Sequence, residues 1–329
     1  MTPFRSVLVT GGGGFVGGNF VRLALRERPS WRITLFDSLG DRPRPVLQGL
    51  EETFPGRVRL VQGRLTDGAA LAALFASEPF DAVVHVAARN PSGQGVNDPV
   101  GFAEVNVLGT AMLLEAARQA PGGVPARFLH LSSYEVYGSS PLGVFTEASP
   151  LNPSTPYAAS KAAADQLTLA YHRTFAMGCL VTRTTNIYGP YQSEDKLVPA
   201  MALRARDGEP LLVYGDGSQS RDWIHVDDHN RGVLHALEGG RPGEVYHLGA
   251  RCERSNLDLV RALAKAAAKV LRRPEEDVLG LIRFVADRPG HDARRTLDPS
   301  KAERELGFAP AVTFEEGLAD TLRRILSGS

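Results

Sequence analysis

The sequence predicts a doubly wound α/β fold, a parallel sheet with helices on both faces, joined to a smaller α/β lobe. Three observations carry that prediction. Short apolar runs bounded by turn residues alternate with longer helical patterns through the first half of the chain. No hairpin signal joins consecutive runs, so the strands are parallel and linked by right-handed crossovers. From about Tyr188 the alternation is lost, as Pro190, Pro199, Pro210, Gly215 and Gly217 interrupt short elements.

Val7–Thr10 reads as the first strand, Gly17–Glu27 as the first helix and Ile33–Phe36 as the second strand. Val58–Gln62 is a third strand, and Gly68–Ala76 a helix that stops before Pro79. Ala82–Val86 is a fourth strand, followed after a loop by a helix from about Val100 to Ala120. Arg127–Ser132 is the fifth strand, Tyr157–Phe175 a helix entered through Pro156, and Cys179–Thr184 the sixth strand. Val245–Leu248 reads as a strand returning to the main sheet, with Leu257–Val270 and Phe314–Ile325 as later helices. Residues 1–185 then form the main domain, with a returning segment near 222–250, and 186–329 mainly form the second lobe.

With 43% hydrophobic and 22% charged residues in 329, the chain has the composition of a folded α/β protein. Basic and acidic residues balance at 37 each, which argues against nucleic-acid binding, where a basic excess displaces counterions. Five lysines leave 32 arginines, most of them attributable to a GC-rich genome. Cys179 and Cys252 make no disulfide framework and have no metal-type spacing to any histidine, so no metal is expected. Met1 leads directly into an apolar strand without a cleavable signal pattern, and no apolar stretch suggests a membrane span. A cytoplasmic protein with no membrane partner is the expectation.

Two motifs carry chemistry. Gly11, Gly14 and Gly17, with Phe15 and Val16 between the last two, lie between the first strand and the first helix. There they permit a tight turn and let a pyrophosphate approach the helix N-terminus. Asp37 ends the second strand 20 residues after Gly17, where a carboxylate accepts hydrogen bonds from an adenosine ribose. Dinucleotide binding is the functional reading, an ordinary glycine turn with a surface acid the plain one. Tyr157 and Lys161 are spaced i, i+4 and share a helix face. A phenol with a pKa of about 10 is a poor base at neutral pH, and a neighbouring ammonium lowers it. Ser132 and Ser133 end the fifth strand at the carboxyl edge, where such sheets bind ligands.

These residues resemble the extended short-chain dehydrogenase/reductases acting on nucleotide sugars, within them the dTDP-glucose 4,6-dehydratases. The resemblance covers nearly the whole chain. It rests on Gly11–Gly17, on His85-Val86-Ala87-Ala88, on Ser132–Gly138, and on Tyr157 with Lys161. Four longer motifs add to it: Asn186–Tyr191, Lys196–Pro199, Arg221-Asp222-Trp223 and Asp287–Asp292. It implies a Rossmann domain holding NAD through Gly11, Gly14, Phe15, Val16, Gly17, Asp37, Ala87, Tyr157 and Lys161. Asp37 favours NAD over NADP, whose 2′-phosphate it repels, although Arg42 or Arg44 is near enough to reach that phosphate. It implies a nucleotide-diphosphate sugar held by Asn186, Lys196, Arg221, Asn256, Arg288 and His291, Arg221 and Arg288 against the diphosphate. The implied catalytic set is Ser133, Tyr134, Glu135, Tyr157 and Lys161, in a homodimer paired through the helices near 100–120 and 157–175. Tyr157 serves the C4 oxidation, and Glu135 removes the C5 proton so that the C6 hydroxyl leaves as water.

Three departures from the family pattern stand out. Tyr134 replaces the Asp that serves as general acid, and is either a weaker, longer acid or a packing residue. The loop Arg89–Gly95 differs from the family's Ser-His-Val-Asp-Arg-like run. Arg64 stands where an acid normally contacts adenine. A nucleotide-sugar 4-epimerase and a UDP-glucuronate decarboxylase of the same family are therefore alternatives, and an inactive NAD-sensing protein is a third.

Overall fold

Thirteen strands are present in the computed structural model, which describes residues 4–40, 45–91, 98–139, 143–287 and 294–326. In the first half they are β1 (Ser6–Thr10), β2 (Arg32–Asp37), β3 (Val58–Gln62), β4 (Ala82–His85), β5 (Arg127–Ser133) and β6 (Cys179–Thr184). Then come β7 (Asn186–Tyr188), β8 (Leu211–Tyr214), β9 (Ser220–His225) and β10 (Val245–Leu248). The last are β11 (Glu253–Ser255), β12 (Ile282–Val285) and β13 (Arg294–Arg295).

Seven of these form one sheet in the order β10-β6-β5-β4-β1-β2-β3, parallel throughout. The chain winds outward from β1 through β2 to β3, then returns to β4 on the other side of β1. That reversal opens a crevice at the carboxyl ends of β1 and β4, where ligands bind in open α/β sheets. Alternation along β1 sends Val7 and Val9 to one face and Leu8 to the other. Val7 and Val9 join a core with Phe20, Ile33, Leu35, Leu237 and Leu248. Leu8 joins Phe36, Leu71, Leu113 and Phe128 on the opposite face. Burial on both faces is why these strands read as continuous apolar runs.

The helices start where local chemistry satisfies their first N–H groups. Asp67 caps Gly68–Ser77 through Ala70 N, Thr155 caps Pro156–Phe175 through Ala158 N, and Ser255 caps Asn256–Leu271 through Asp258 N. Pro156 takes the first helical position, where its missing N–H costs nothing. The helix expected near 100–120 is helical over Pro99–Arg118, but its middle, Ala103–Leu108, is a π turn. Its most apolar 18 residues have a mean hydropathy of 1.3, so by length and composition it could cross a membrane, contrary to the sequence reading. Leu113, Leu114 and Ala117 are instead packed in the core beside Leu8.

Two helices of more than ten residues escaped the sequence reading, Leu197–Asp207 and Val226–Gly239, as did the short Leu50–Thr53, Glu275–Leu279 and Ser300–Leu306. The second packs beside Phe15–Glu27 on the main sheet, tied there by a two-pronged Arg28–Glu238 pair at 2.6 and 2.7 Å. The other lobe has its own core of Tyr188, Met201, Trp223, Leu263, Phe314 and Leu318. In its small sheet, β9 pairs with β11, β13 and β7.

Candidate active site

The glycine turn after β1 has no room for side chains. Gly11 has φ +72°, and a Cβ there would lie 2.6 Å from the Ala87 backbone; one at Gly17 would lie 2.3 Å from Gly11 O. Gly14 begins the helix Phe15–Glu27 with no capping side chain and no acid in the first turn. The positive end of that helix therefore remains open to an anion. Asp37, 8% exposed, accepts from Gly13 N at 2.8 Å and Leu39 N at 2.7 Å. Phosphate-binding backbone and ribose-binding carboxylate stand together, and this donor set fits a dinucleotide. Arg64, after β3, lines the same cleft; Arg42 and Arg44 lie outside the described residues.

The next wall is the loop after β4. His85 is clamped between Thr10 Oγ1 at 2.7 Å and Thr110 Oγ1 at 2.9 Å, and burial drives its pKa down to about 3, the charge of Lys161 adding to that. The loop itself is fastened by Asn106, whose amide accepts from Arg89 N at 2.7 Å and donates to Arg89 O and Ser160 Oγ. Asn106 sits in the π turn, which sets its side chain against the loop. The fastened loop presents Asn90, which accepts from the Tyr157 hydroxyl at 3.0 Å.

Tyr157 and Lys161 come from the helix Pro156–Phe175 and both line the cleft. Their interaction differs from the expectation. Lys161 Nζ donates to Leu131 O at 2.6 Å and lies 3.4 Å from His130 Nε2. Burial raises the Tyr157 phenol above its ordinary range, the charges of Glu135 and Asp165 adding to it, and burial lowers Lys161 to about 8 against the pull of Asp165. Below them lies a buried chain: Arg183 Nε bonds Asp165 Oδ2 at 2.8 Å, Arg183 also donates to the Tyr137 hydroxyl, and that hydroxyl lies 2.6 Å from His247 Nε2.

Ser132 and Ser133 end β5 at the cleft, and Ser133 Oγ accepts from Glu135 N at 3.2 Å, opening the one-turn 3₁₀ helix Tyr134–Tyr137. That turn places Glu135 in the cleft with one oxygen 3.3 Å from Arg295 Nη1. Tyr134 is 2% exposed and donates to Asn186 Oδ1 at 2.8 Å. Burial raises its phenol pKa, so it stays protonated. Gly11, Gly14, Asp37, Asn90, Ser133, Tyr134, Glu135, Tyr157 and Lys161 line one cleft of about 1970 Å³.

Known proteins are similar to the chain over nearly its whole length. The sequence profile described as GDP-mannose 4,6 dehydratase matches residues 8–321. The chain belongs to the GDP-mannose 4,6 dehydratase family. A dTDP-glucose 4,6-dehydratase of Streptomyces niveus is 42% identical, over 96% of this chain and 91% of its own. That of Escherichia coli is 37% identical, over 98% and 93%. Among solved structures, DesIV, the dTDP-glucose 4,6-dehydratase of Streptomyces venezuelae, crystallised with NAD, superposes with a TM-score of 0.87 at 41% identity, covering 97% of this chain and 96% of that one. A UDP-glucuronic acid 4-epimerase from Bacillus cereus superposes with 0.86 at 27% identity, covering 99% and 100%.

The family resemblance implied a substrate side as well. Asn186 and Lys196 line the cleft, and Lys196 Nζ donates to Pro91 O at 2.7 Å. Arg221 lies on β9 and Asn256 opens the helix Asn256–Leu271; neither is among the residues lining the cleft. Arg288 and His291 lie outside the described residues, as do positions 92–95 of the divergent loop. The sequence reading missed Asn90 as the partner of Tyr157, Arg295 as the partner of Glu135, and Arg22, Tyr191 and Arg324 at the cleft. Tyr191 stands at φ +67° with both arginines over its ring, at 5.7 and 5.9 Å. Only the Asn186–Tyr191 motif hinted at that cluster.

Proposed function

We propose that the chain is an NAD-dependent nucleotide-sugar 4,6-dehydratase acting on a dTDP-linked glucose, as its relatives are named. One observation carries the reading: the dinucleotide cradle, Tyr157 and Glu135 all line a single cleft. NAD, which the Gly11–Gly17 turn and Asp37 would hold, would supply a hydride acceptor for C4 and a hydride donor for C6. Tyr157, once it has released to solvent the proton it donates to Asn90, takes the proton from the sugar 4-hydroxyl as a phenolate, and Ser133 lies beside that oxygen's place at the end of β5. The resulting ketone acidifies C5, and Glu135 removes the proton there. Lys161 supplies positive charge from the same helix face as Tyr157.

Tyr134 stands at the position of the family's Asp. Its proton is engaged with Asn186 and burial disfavours its ionised form, so it serves as a fixed donor that orients Asn186. The proton for the departing C6 hydroxyl then comes from Glu135, which has just taken one from C5. The likeness to a UDP-glucuronic acid 4-epimerase favours one second reading, a nucleotide-linked uronic acid as substrate. Incubating the protein with dTDP-glucose, UDP-glucose and UDP-glucuronate and weighing the products separates the readings. Loss of water from dTDP-glucose is expected; loss of CO₂ from the uronate, or inversion at C4 without change of mass, would replace it.

The assembly we propose is a homodimer. Val100, Leu108 and Phe175 expose 77%, 51% and 48% of their surfaces on the helical stretches Pro99–Arg118 and Pro156–Phe175. Such apolar side chains suit a helix-to-helix interface. Light scattering at micromolar protein should return twice the 35.4 kDa chain mass, and a monomer would refute the pairing.

A further inference from the structure

Arg295 occupies an unusual place for an arginine. It belongs to the two-residue strand β13, which pairs in parallel with β9 so that Arg295 stands opposite Arg221. It is only 6% exposed. Its Nη1 lies 3.3 Å from Glu135 Oε2, and its guanidinium carbon lies 5.8 Å from the centre of the Tyr134 ring. Both contacts reach across from the second lobe to the 3₁₀ turn at the end of β5. A buried cation is stabilised only by close partners, and one partner here is a carboxylate that also lines the cleft.

We infer that Arg295 is a positioning residue for the elimination step, holding one oxygen of Glu135 so that the other faces C5 of the sugar. The inference rests on the dehydratase reading above. The backbone of Glu135 is set by Ser133 Oγ, but a glutamate side chain still has three rotatable bonds. Arg295 removes that freedom from outside the turn. The oxygen left facing the sugar takes the C5 proton as the C5–H electron pair moves into the enolate of the 4-ketone. The same oxygen then gives that proton to the C6 hydroxyl as the C6–O bond breaks, forming the C5=C6 double bond and water. Glu135 is restored as a carboxylate. Oxidation at C4 needs Tyr157 and not Arg295, so the two half-reactions should respond differently to loss of the guanidinium.

The test uses Arg295→Met and Arg295→Lys holoenzymes with dTDP-glucose in D₂O, following reduced-cofactor absorbance, deuterium at C5 and dehydrated product. Arg295→Met should oxidise C4 within about threefold of wild type while C5 exchange and water loss fall by about 100-fold, so reduced cofactor accumulates. Arg295→Lys should recover about tenfold of that loss, because an ammonium can reach the same oxygen. If Arg295→Met slows oxidation and elimination equally, or neither, or if Lys rescues nothing, Arg295 does not position Glu135. Should Arg295→Met fail to fold, Arg295→Lys alone decides, by whether its C5 exchange slows more than its C4 oxidation. A wild-type enzyme that removes no water from dTDP-glucose overturns the dehydratase reading first, and this inference with it.

Discussion

Tyr157→Phe should lower kcat by about 10³-fold while leaving the affinities for NAD and for the nucleotide sugar within about twofold of wild type. The ring is part of the wall: Tyr157 is 9% exposed and meets Phe102 edge-to-face with centroids 5.7 Å apart. Phenylalanine preserves that packing and removes only the hydroxyl and its bond to Asn90. Proton transfer from the 4-hydroxyl then has no acceptor, so C4 oxidation stops at its first step and no reduced cofactor forms on mixing. Rapid-mixing absorbance and equilibrium binding check the two halves of this expectation. A variant within tenfold of wild type would assign the proton transfer to another group.

Glu135→Gln should separate the half-reactions in the opposite sense. The amide is the same size and can still face Arg295, but it takes no proton from carbon. C4 oxidation should persist, with reduced cofactor building up, while water loss falls by about 10³-fold. Unreacted sugar recovered from D₂O should carry no deuterium at C5. Wild-type exchange at C5 in this variant would show that a different base acts there.

How far the sequence could be read depended on where polar residues were buried. β1 and the glycine turn were readable because an apolar run meets three spaced glycines, and the main sheet followed from the same kind of run. Val226–Gly239 was not, because Asp228, His229 and Asn230 are almost fully buried and break its apolar stripe. Asp228 is there to accept from Ala311 N and Val312 N, a contact no local pattern announces. Tyr157 and Lys161 were found by their spacing, yet the direction of the phenol's shift was read wrongly. Spacing shows which residues share a face, and burial, invisible at that level, decided the sign. Arg295 had no signal at all. It is one of 32 arginines, adjacent to the more exposed Arg294, and only the pairing of β13 with β9 brings it to Glu135.

The buried chain under Tyr157 has an arithmetic of its own. Lys161, Arg183 and Asp165 are 4%, 2% and 0% exposed, two cations to one anion. Interiors tolerate ions that are matched, and this cluster is one negative charge short. A guanidinium keeps its proton at any accessible pH, so electroneutrality is reached only by releasing a proton from Lys161 or from Tyr157 on the same helix face. In the resting protein the ammonium yields first, at about pH 8, because burial holds the phenol higher. Below that pH both groups keep their protons, and the surplus positive charge stays in the core. The free protein therefore keeps Tyr157 as a proton donor to Asn90, and the unmatched charge of Lys161 at the cleft wall is left for a bound anion to offset.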